Sequence, residues 1–321
     1  MADDRASEIA PPLATPGTRH IVILANPAAG GHDPAALADL ARRLEAAGAR
    51  VETVIGRRPG DLARTVAGFA GTGGPDTVVV AGGDGTINGV VAALIARPVP
   101  RPVLAVMAQG TADVLAHEYA LPRRAEAVAA AILAGLTRPL HLGVATDAIG
   151  QRRPFFLMVS AGLDAAVVHA VEARRPRRFK KLAFVTAALG LRRRRLPLVT
   201  ATVRDVSGAV IRLKAPLAIV AKAAHYGGPW VLTRLTAADR PGLAFVALRR
   251  GGFWGLLVAA LRLALGRLDG AVDVATAAAA HVRLSSISRM EELPVQIDGE
   301  PWGMTPVEVE SMAETVELVV G

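Results

Sequence analysis

The residues best suited to chemistry stand together at Gly82-Gly83-Asp84-Gly85-Thr86, inside the run TVVVAGGDGTINGVVAAL. An apolar strand enters a glycine-rich turn and leaves it as a helix. Such a turn is an anion site: its glycines permit φ > 0 and close approach of a ligand, while Thr86 and the first unpaired N–H groups of the helix point donors at it. Asp84 sharpens this reading. A carboxylate among phosphate oxygens is unfavourable unless a cation lies between them or a proton must be moved, so magnesium-linked phosphoryl chemistry is expected. As structure alone, the same residues would form a tight turn with Asp84 as N-cap.

Three further groups carry candidate chemistry. Asn26-Pro27-Ala28-Ala29-Gly30 closes an apolar run; Pro27 stiffens the turn, Gly30 frees the backbone, and Asn26 offers an amide. In AVMAQGTADVLAHEYALP, Gly110 and Thr111 precede a short helix that Thr111 and Asp113 are also suited to cap. In VQIDGEPWGMTP, Asp298 and Glu300 flank a glycine on a strand-turn, so both carboxylates can face one cleft. Alone, that Asp-Gly pair is a β-turn.

These residues need elements to hold them. The apolar run at 21–25, a helix over 34–47, a strand at 51–55, a helix at 61–70, strands at 77–80 and 102–107 and a helix at 87–96 alternate in the manner of parallel pairing with right-handed crossovers. Functional loops then belong at the carboxyl ends of the strands. After about residue 140 the texture turns to β: segments at 155–159, 198–203, 209–213, 217–221, 243–248 and 280–285 are separated by turn signals, with helices expected at 181–194 and 252–265. The fold class expected is α/β, a Rossmann-like parallel-sheet domain over 19–140 followed by an antiparallel β-sandwich domain over 141–305. Residues 1–18 form an unstructured lead-in, and 306–321 return to the first domain.

Bulk properties exclude several classes. The 321 residues suit two domains. Cysteine is absent, which removes disulfides and thiolate metal sites and fits a reducing compartment. No run reaches the roughly 18 apolar residues of a spanning helix; Gly251–Gly266 carries Arg262 and reads as a buried or interfacial helix. The start, MADDRASEIAPP, lacks the basic and apolar regions of a signal peptide. A net charge of +9, with arginines and lysines clustered at 174–181 and 192–195, attracts polyanions; the alternative is a solvated surface. Aromatics at 4% and no known module argue against nucleic acid.

The motifs, in this order, resemble the diacylglycerol kinase catalytic-domain family of bacterial lipid kinases, from His20 to about Gly321. GGDGT is shared with sphingosine kinases, NAD kinases and phosphofructokinases; the Asn-Pro-x-x-Gly turn at Asn26–Gly30, the Gly110-Thr111 segment and Asp298-Gly299-Glu300 point to the lipid kinases. Gly162 and Asp164 in SAGLD, and His225-Tyr226-Gly227-Gly228, add to the likeness. The resemblance implies an ATP-dependent enzyme phosphorylating a lipid hydroxyl, diacylglycerol-like, with ATP and Mg2+ as cofactors. It implies nucleotide contacts from Asn26, Pro27, Gly30, Gly82, Gly83, Asp84, Gly85, Thr86, Asn88, Gly110 and Thr111, with Asp84 also a metal ligand and catalytic group, and Glu300 as proton acceptor. Asp113 stands where the family has Asn, Met158 replaces a common Asn, and in Ala238-Asp239-Arg240-Pro241-Gly242 an Arg occupies the usual Asp position of a structural magnesium site, leaving Asp239 as candidate ligand. The implied setting is cytoplasmic, peripheral to the inner membrane face, on an anionic lipid surface that the basic runs would approach; a homodimer is one permitted arrangement. The competing readings are an NAD kinase-like enzyme and a non-catalytic nucleotide or lipid sensor.

Overall fold

The computed structural model describes residues 19–69, 74–173, 198–251, 253–288 and 291–321. The lead-in at 1–18, the basic runs at 174–181 and 192–195 and the helix expected at 181–194 lie outside the described residues. The chain divides into two compact units, one running up to His141 and taking in Glu314–Gly321, the other comprising Leu142–Ala313.

The first unit is a parallel sheet in the order β2 (Arg50–Ile55), β1 (His20–Ala25), β3 (Thr77–Gly82) and β4 (Val103–Ala108). Every residue of β3 is buried. A strand covered on both faces needs the continuous apolar run that TVVVAG supplies. The covering helices follow local rules. In α1 (Pro34–Ala46), Pro34 takes the first position and the Asp33 carboxylate accepts from the N–H groups of Ala35 and Ala36, while Leu37, Leu40 and Leu44 form the inward stripe. Next come α2 (Asp61–Ala67), α3 (Asp84–Ile95), the single-turn α4 (Val114–Glu118) and α5 (Ala125–Ala134). Helix α3 begins at Asp84, three residues earlier than the apolar pattern suggests. The extended Gly83 is its N-cap, so Asp84-Gly85-Thr86 forms the first helical turn rather than a loop. At the end of the chain, Leu318 pairs with Leu104 and the Val320 N–H donates to the Leu136 carbonyl.

The second unit is mainly antiparallel. Its strands are β5 (Thr137–Asp147), whose first residues belong to the first unit, β6 (Arg152–Phe155), β7 (Met158–Gly162), β8 (Val199–Asp205), β9 (Val210–Ala215), β10 (Leu217–Ala221), β11 (His225–Tyr226), β12 (Trp230–Val231), β13 (Leu243–Leu248), β14 (Val274–Ser286), β15 (Pro294–Ile297), β16 (Glu300–Met304) and β17 (Val307–Val319), with helices α6 (Leu163–Ala173) and α7 (Phe253–Ala264). The run β16-β15-β7-β10-β13-β14 is antiparallel throughout, β8 and β9 extend from β14, and β11 pairs with β12 in a separate hairpin. Phe155, Val159, Val220, Phe245, Val295 and Ile297 meet in its core. The single strand expected at 155–159 is two strands, broken at Phe156-Leu157. The break has a chemical cause: the N–H groups of Phe156, Leu157 and Met158 all turn to the Asp298 carboxylate.

Candidate functional site

In the first unit, three loops leave the carboxyl ends of β1, β3 and β4, which are neighbours in the sheet. Asn26 links the first two: its Nδ2 donates to Thr86 Oγ1 at 2.7 Å, while its Oδ1 accepts from the Ala28 N–H and closes the Asn-Pro turn. With Thr86 Oγ1 already accepting, its hydroxyl hydrogen is left to donate elsewhere. The first and third loops meet where the Gly31 N–H donates to the Gln109 carbonyl at 2.9 Å, and Thr111 Oγ1 lies 3.2 Å from where a Cβ on Gly30 would stand. The second and third loops touch backbone to backbone. A Cβ on Gly83 would come within 3.0 Å of Gly110 Cα, and one on Gly110 within 2.7 Å of Gly83 Cα.

That contact revises the role of the glycines. None of Gly82, Gly83 and Gly85 has positive φ, and Gly83 is extended at φ −94° and ψ 178°. Missing side-chain volume, rather than left-handed backbone, is what the site requires of Gly83 and Gly110. A glycine N-cap also leaves the first turn of α3 with no side-chain acceptor. Backbone N–H groups at such an end, supported by the helix dipole, favour an anion.

Asp84 does not stand open to a ligand. Its Oδ2 accepts from the Val114 N–H at 3.0 Å and its Oδ1 from the Leu115 N–H at 3.2 Å. The carboxylate thus caps α4 from another helix, a part for which a sequence pattern offers no signal because the residues lie thirty apart. Loss of water pushes its acidity range upward, with the nearby Asp113 charge adding to the rise and the two N–H bonds opposing it. This differs from the expectation that Asp84 ligates magnesium: both oxygens already serve the backbone, and among the described residues no group of three His, Cys, Asp or Glu side chains is placed to hold a metal ion. Asn88 is buried on α3 and engaged with the protein, not open to a ligand. Pro27 and Thr111 are exposed at the rim.

The exchange of Asn for Asp113 is also explained. Asp113 adopts a left-handed backbone, φ 48°, and its Oδ1 accepts from the Gly110 N–H at 2.7 Å. An amide oxygen would accept the same bond, so the third loop keeps its shape with either residue.

In the second unit, Asp298 and Gly299 both have positive φ and join β15 to β16 with Ile297 opposite Glu300, the pattern of a two-residue hairpin turn. The turn sends its two carboxylates apart. Asp298 is buried and accepts from three backbone N–H groups, whereas Glu300 is exposed and accepts from Arg153 Nη2 at 2.7 Å. The expectation that both face one cleft is therefore corrected: an acceptor of three N–H bonds belongs to the fold, and Glu300 alone remains for chemistry.

Beneath the turn lies a network of which the sequence singled out Asp164 and Tyr226 but not Ser160 or Gln296. Gln296 Oε1 accepts from the Gly299 N–H, while its Nε2 donates to Ser160 Oγ and to Asp164 Oδ2; Asp164 also accepts from the hydroxyls of Ser160 and Tyr226. Burial, followed by the neighbouring Asp164 charge, pushes the Tyr226 phenol well above its ordinary range, so it stays a proton donor. Only in the folded chain do β7, α6, β11 and β15 bring these residues together.

The secondary magnesium site is replaced by a side chain. Lys222 is fully buried, and its Nζ donates to the carbonyls of Ala237 and Arg240, each at 2.7 Å. An ammonium on two loop carbonyls already supplies the cation there, and Asp239 stands beside Arg240 at 3.8 Å. The residues do not fit a metal at this loop, which corrects the assignment of Asp239 as a ligand.

The glycine-rich loop thus belongs to the parallel α/β unit and the Asp-Gly-Glu turn to the antiparallel one. Residues 20–145 match the diacylglycerol kinase catalytic domain, and residues 157–320 match the YegS C-terminal NAD kinase beta sandwich-like domain. The chain belongs to the diacylglycerol kinase-like family of lipid kinases. It is 23% identical over 257 residues to the Synechocystis protein sll0036, covering 76% of this chain and 55% of that one. It is 30% identical over 149 residues to a diacylglycerol kinase of Mycobacterium tuberculosis, covering 46% of this chain and 47% of that one. The alignments thus span about half the length of these curated relatives. Among solved structures, a diacylglycerol kinase from Bacillus anthracis strain Sterne has a TM-score of 0.66 at 19% identity, covering 96% of this chain and 98% of that one. Two further structures from that strain reach 0.75 and 0.76 at 20% identity. Yeast NADH kinase complexed with NADH has a TM-score of 0.53 at 13% identity, covering 95% and 84%. At these identities the structures speak for the fold.

Proposed function

We propose that this chain transfers the terminal phosphoryl group of ATP to a hydroxyl of a diacylglycerol-like lipid. The observation that carries the reading is the cradle of three tied loops, with Asn26 bonded to Thr86, Gly83 packed on Gly110 and the uncapped start of α3 beside them. Its N–H groups and the Thr86 hydroxyl are donors suited to nucleotide phosphates, and ATP enters as its magnesium complex. Asn26, Pro27, Gly30, Gly82 to Thr86, Gly110 and Thr111 form this cradle, with Asp84 and Asn88 as positioning residues. Glu300 accepts the proton of the lipid hydroxyl as its oxygen attacks the γ-phosphorus; the bond from phosphorus to the bridging oxygen breaks and ADP leaves. Positioning and charge stabilisation supply most of the rate. Arg153 holds Glu300 in one orientation. Among the described residues no helix is long and apolar enough to cross a membrane, and the proposed enzyme meets its acceptor at a bilayer surface.

The test is incubation of the purified chain with labelled ATP, magnesium and a lipid panel, with NAD as control, followed by chromatography of products. Label in a lipid supports the proposal. Label in NAD alone overturns it in favour of an NAD kinase, and ATP bound but unchanged in a single-turnover experiment identifies a sensor. Glu300→Gln should lower lipid phosphorylation by about 10²- to 10⁴-fold while ATP binding persists; full activity in that variant removes Glu300 as the base.

A further inference from the structure

Helix α7 is apolar on a side that faces solvent. Trp254, Leu257, Val258 and Leu261 are 74%, 48%, 40% and 59% exposed, and Leu265, which follows the last helical residue with its N–H still bonded to the Leu261 carbonyl, is 60% exposed. At 3.6 residues per turn these positions fall in one sector about 100° wide. The opposite side carries Ala259, which is buried. A helix on the surface of a globular unit ordinarily turns charged or polar residues outward; here FWGLLVAALRLA offers one charged residue, Arg262, and that is paired with Asp273. The stripe continues sideways, because β12 packs against α7 and its Trp230 is 42% exposed.

We propose that this face is a docking surface for an anionic lipid bilayer, with α7 lying in the plane of the interface. The helix has 12 residues, about 18 Å of length, against a hydrocarbon core of about 30 Å, so it can lie in a bilayer but not cross one. Tryptophan with leucines along a single stripe is the composition that settles at the headgroup boundary. The charges agree: Arg249 and Arg250 precede the helix, Arg267 follows it, all three are exposed, and the helix itself contains no acid. Anionic headgroups answer that pattern. A second copy of this chain would instead set the same arginines against one another. Within its own unit the surface connects through β12 and β11 to the buried Tyr226–Asp164 network under the Asp298-Gly299 turn. The choice of a bilayer as occupant rests in part on the lipid acceptor proposed above; the apolar stripe does not.

The experiment is co-sedimentation of the full chain with phosphatidylcholine vesicles, with and without phosphatidylglycerol, at low and high salt. High salt screens attraction due to arginines alone and leaves apolar insertion. The wild type is expected to stay on phosphatidylglycerol vesicles at high salt, and Leu257→Glu/Leu261→Glu to lower that partition by about tenfold or more, with its ATP affinity and melting temperature unchanged. The inference is overturned if wild type and variant bind vesicles equally, if neither binds, or if the wild type forms a dimer that the substitutions break without binding vesicles. Failure of the kinase reading is distinguishable. A chain that docks through α7 yet labels no lipid keeps this surface and loses the kinase; one that labels detergent-dispersed lipid while docking is indifferent to the substitutions does the reverse.

Discussion

Replacing Gly110 by Ala tests the cradle at the point where it has least room. The added Cβ would stand 2.7 Å from Gly83 Cα and 2.5 Å from Asp113 Oδ1. Carbon atoms settle at about 3.5–4.0 Å, so the second and third loops must part by roughly 1 Å. Neither neighbour yields easily: one is backbone at the start of α3, and the other is the carboxylate that holds the Gly110 N–H. Overpacking of this kind costs about 1–3 kcal/mol. For a protein of this size each kcal/mol lowers the melting temperature by roughly 2–4 °C. If about 1.4 kcal/mol of the strain appears as displaced donors, ATP affinity falls about tenfold. The control is Gly89→Ala on the same helix α3, where a Cβ meets nothing within 4 Å. There the gain in helix propensity, about 0.8–1 kcal/mol, should leave melting temperature equal or higher and ATP affinity unchanged. Differential scanning fluorimetry and calorimetric ATP titration read both quantities. A Gly110→Ala protein with wild-type melting temperature and wild-type affinity would refute the close contact as the reason for glycine.

Asp113→Asn retains an acceptor for the Gly110 N–H, so ATP affinity should stay within about twofold of wild type. Burial raises the folded-state acidity range of Asp113, opposed by the Gly110 bond and by Arg123. The folded protein therefore holds this proton more tightly than the unfolded chain, and the stabilisation is present below about pH 4 and lost as pH rises through the folded value. The melting temperature of Asp113→Asn relative to wild type should accordingly climb between about pH 4 and pH 7; a constant difference would contradict the assignment. Asp84→Ala removes the acceptor of the Val114 and Leu115 N–H groups and should cost about 0.5–2 kcal/mol, with faster amide exchange at 114–118 as the specific readout. Lys222→Met leaves the carbonyls of Ala237 and Arg240 without their ammonium, a loss of about 1–3 kcal/mol for each group left unpaired. The melting temperature of the nucleotide-free wild type should not respond to EDTA or added magnesium, and a rise with magnesium would show that Lys222 does not stand in for a metal.

Much of the plan is written in local patterns. The buried run TVVVAG needs two covered faces and so predicts a parallel sheet; the Asn26–Gly30 turn and GGDGT each close a strand; Asp298-Gly299 between two strand runs favours a turn. These depend on neighbours in the chain, which is why the order of strands and helices and the place of the glycine-rich turn could be read directly. The destinations of side chains could not. Asp84 looks like a metal ligand beside its glycines, and it caps a helix thirty residues away because α4 begins against the same loop. Asp298 and Glu300 look equivalent, yet a turn with positive φ at its two central residues sends one inward to three N–H groups and leaves the other to Arg153. The glycines invite a left-handed backbone, and the fold uses two of them to let β3 and β4 loops touch. Sequence by itself determined where donors, carboxylates and turns occur along the chain, because periodicity and turn chemistry are local. Tertiary structure alone decided which carboxylates are consumed by backbone N–H groups, which cation serves the 237–240 loop and which apolar helix face remains in water, because each depends on partners distant in sequence.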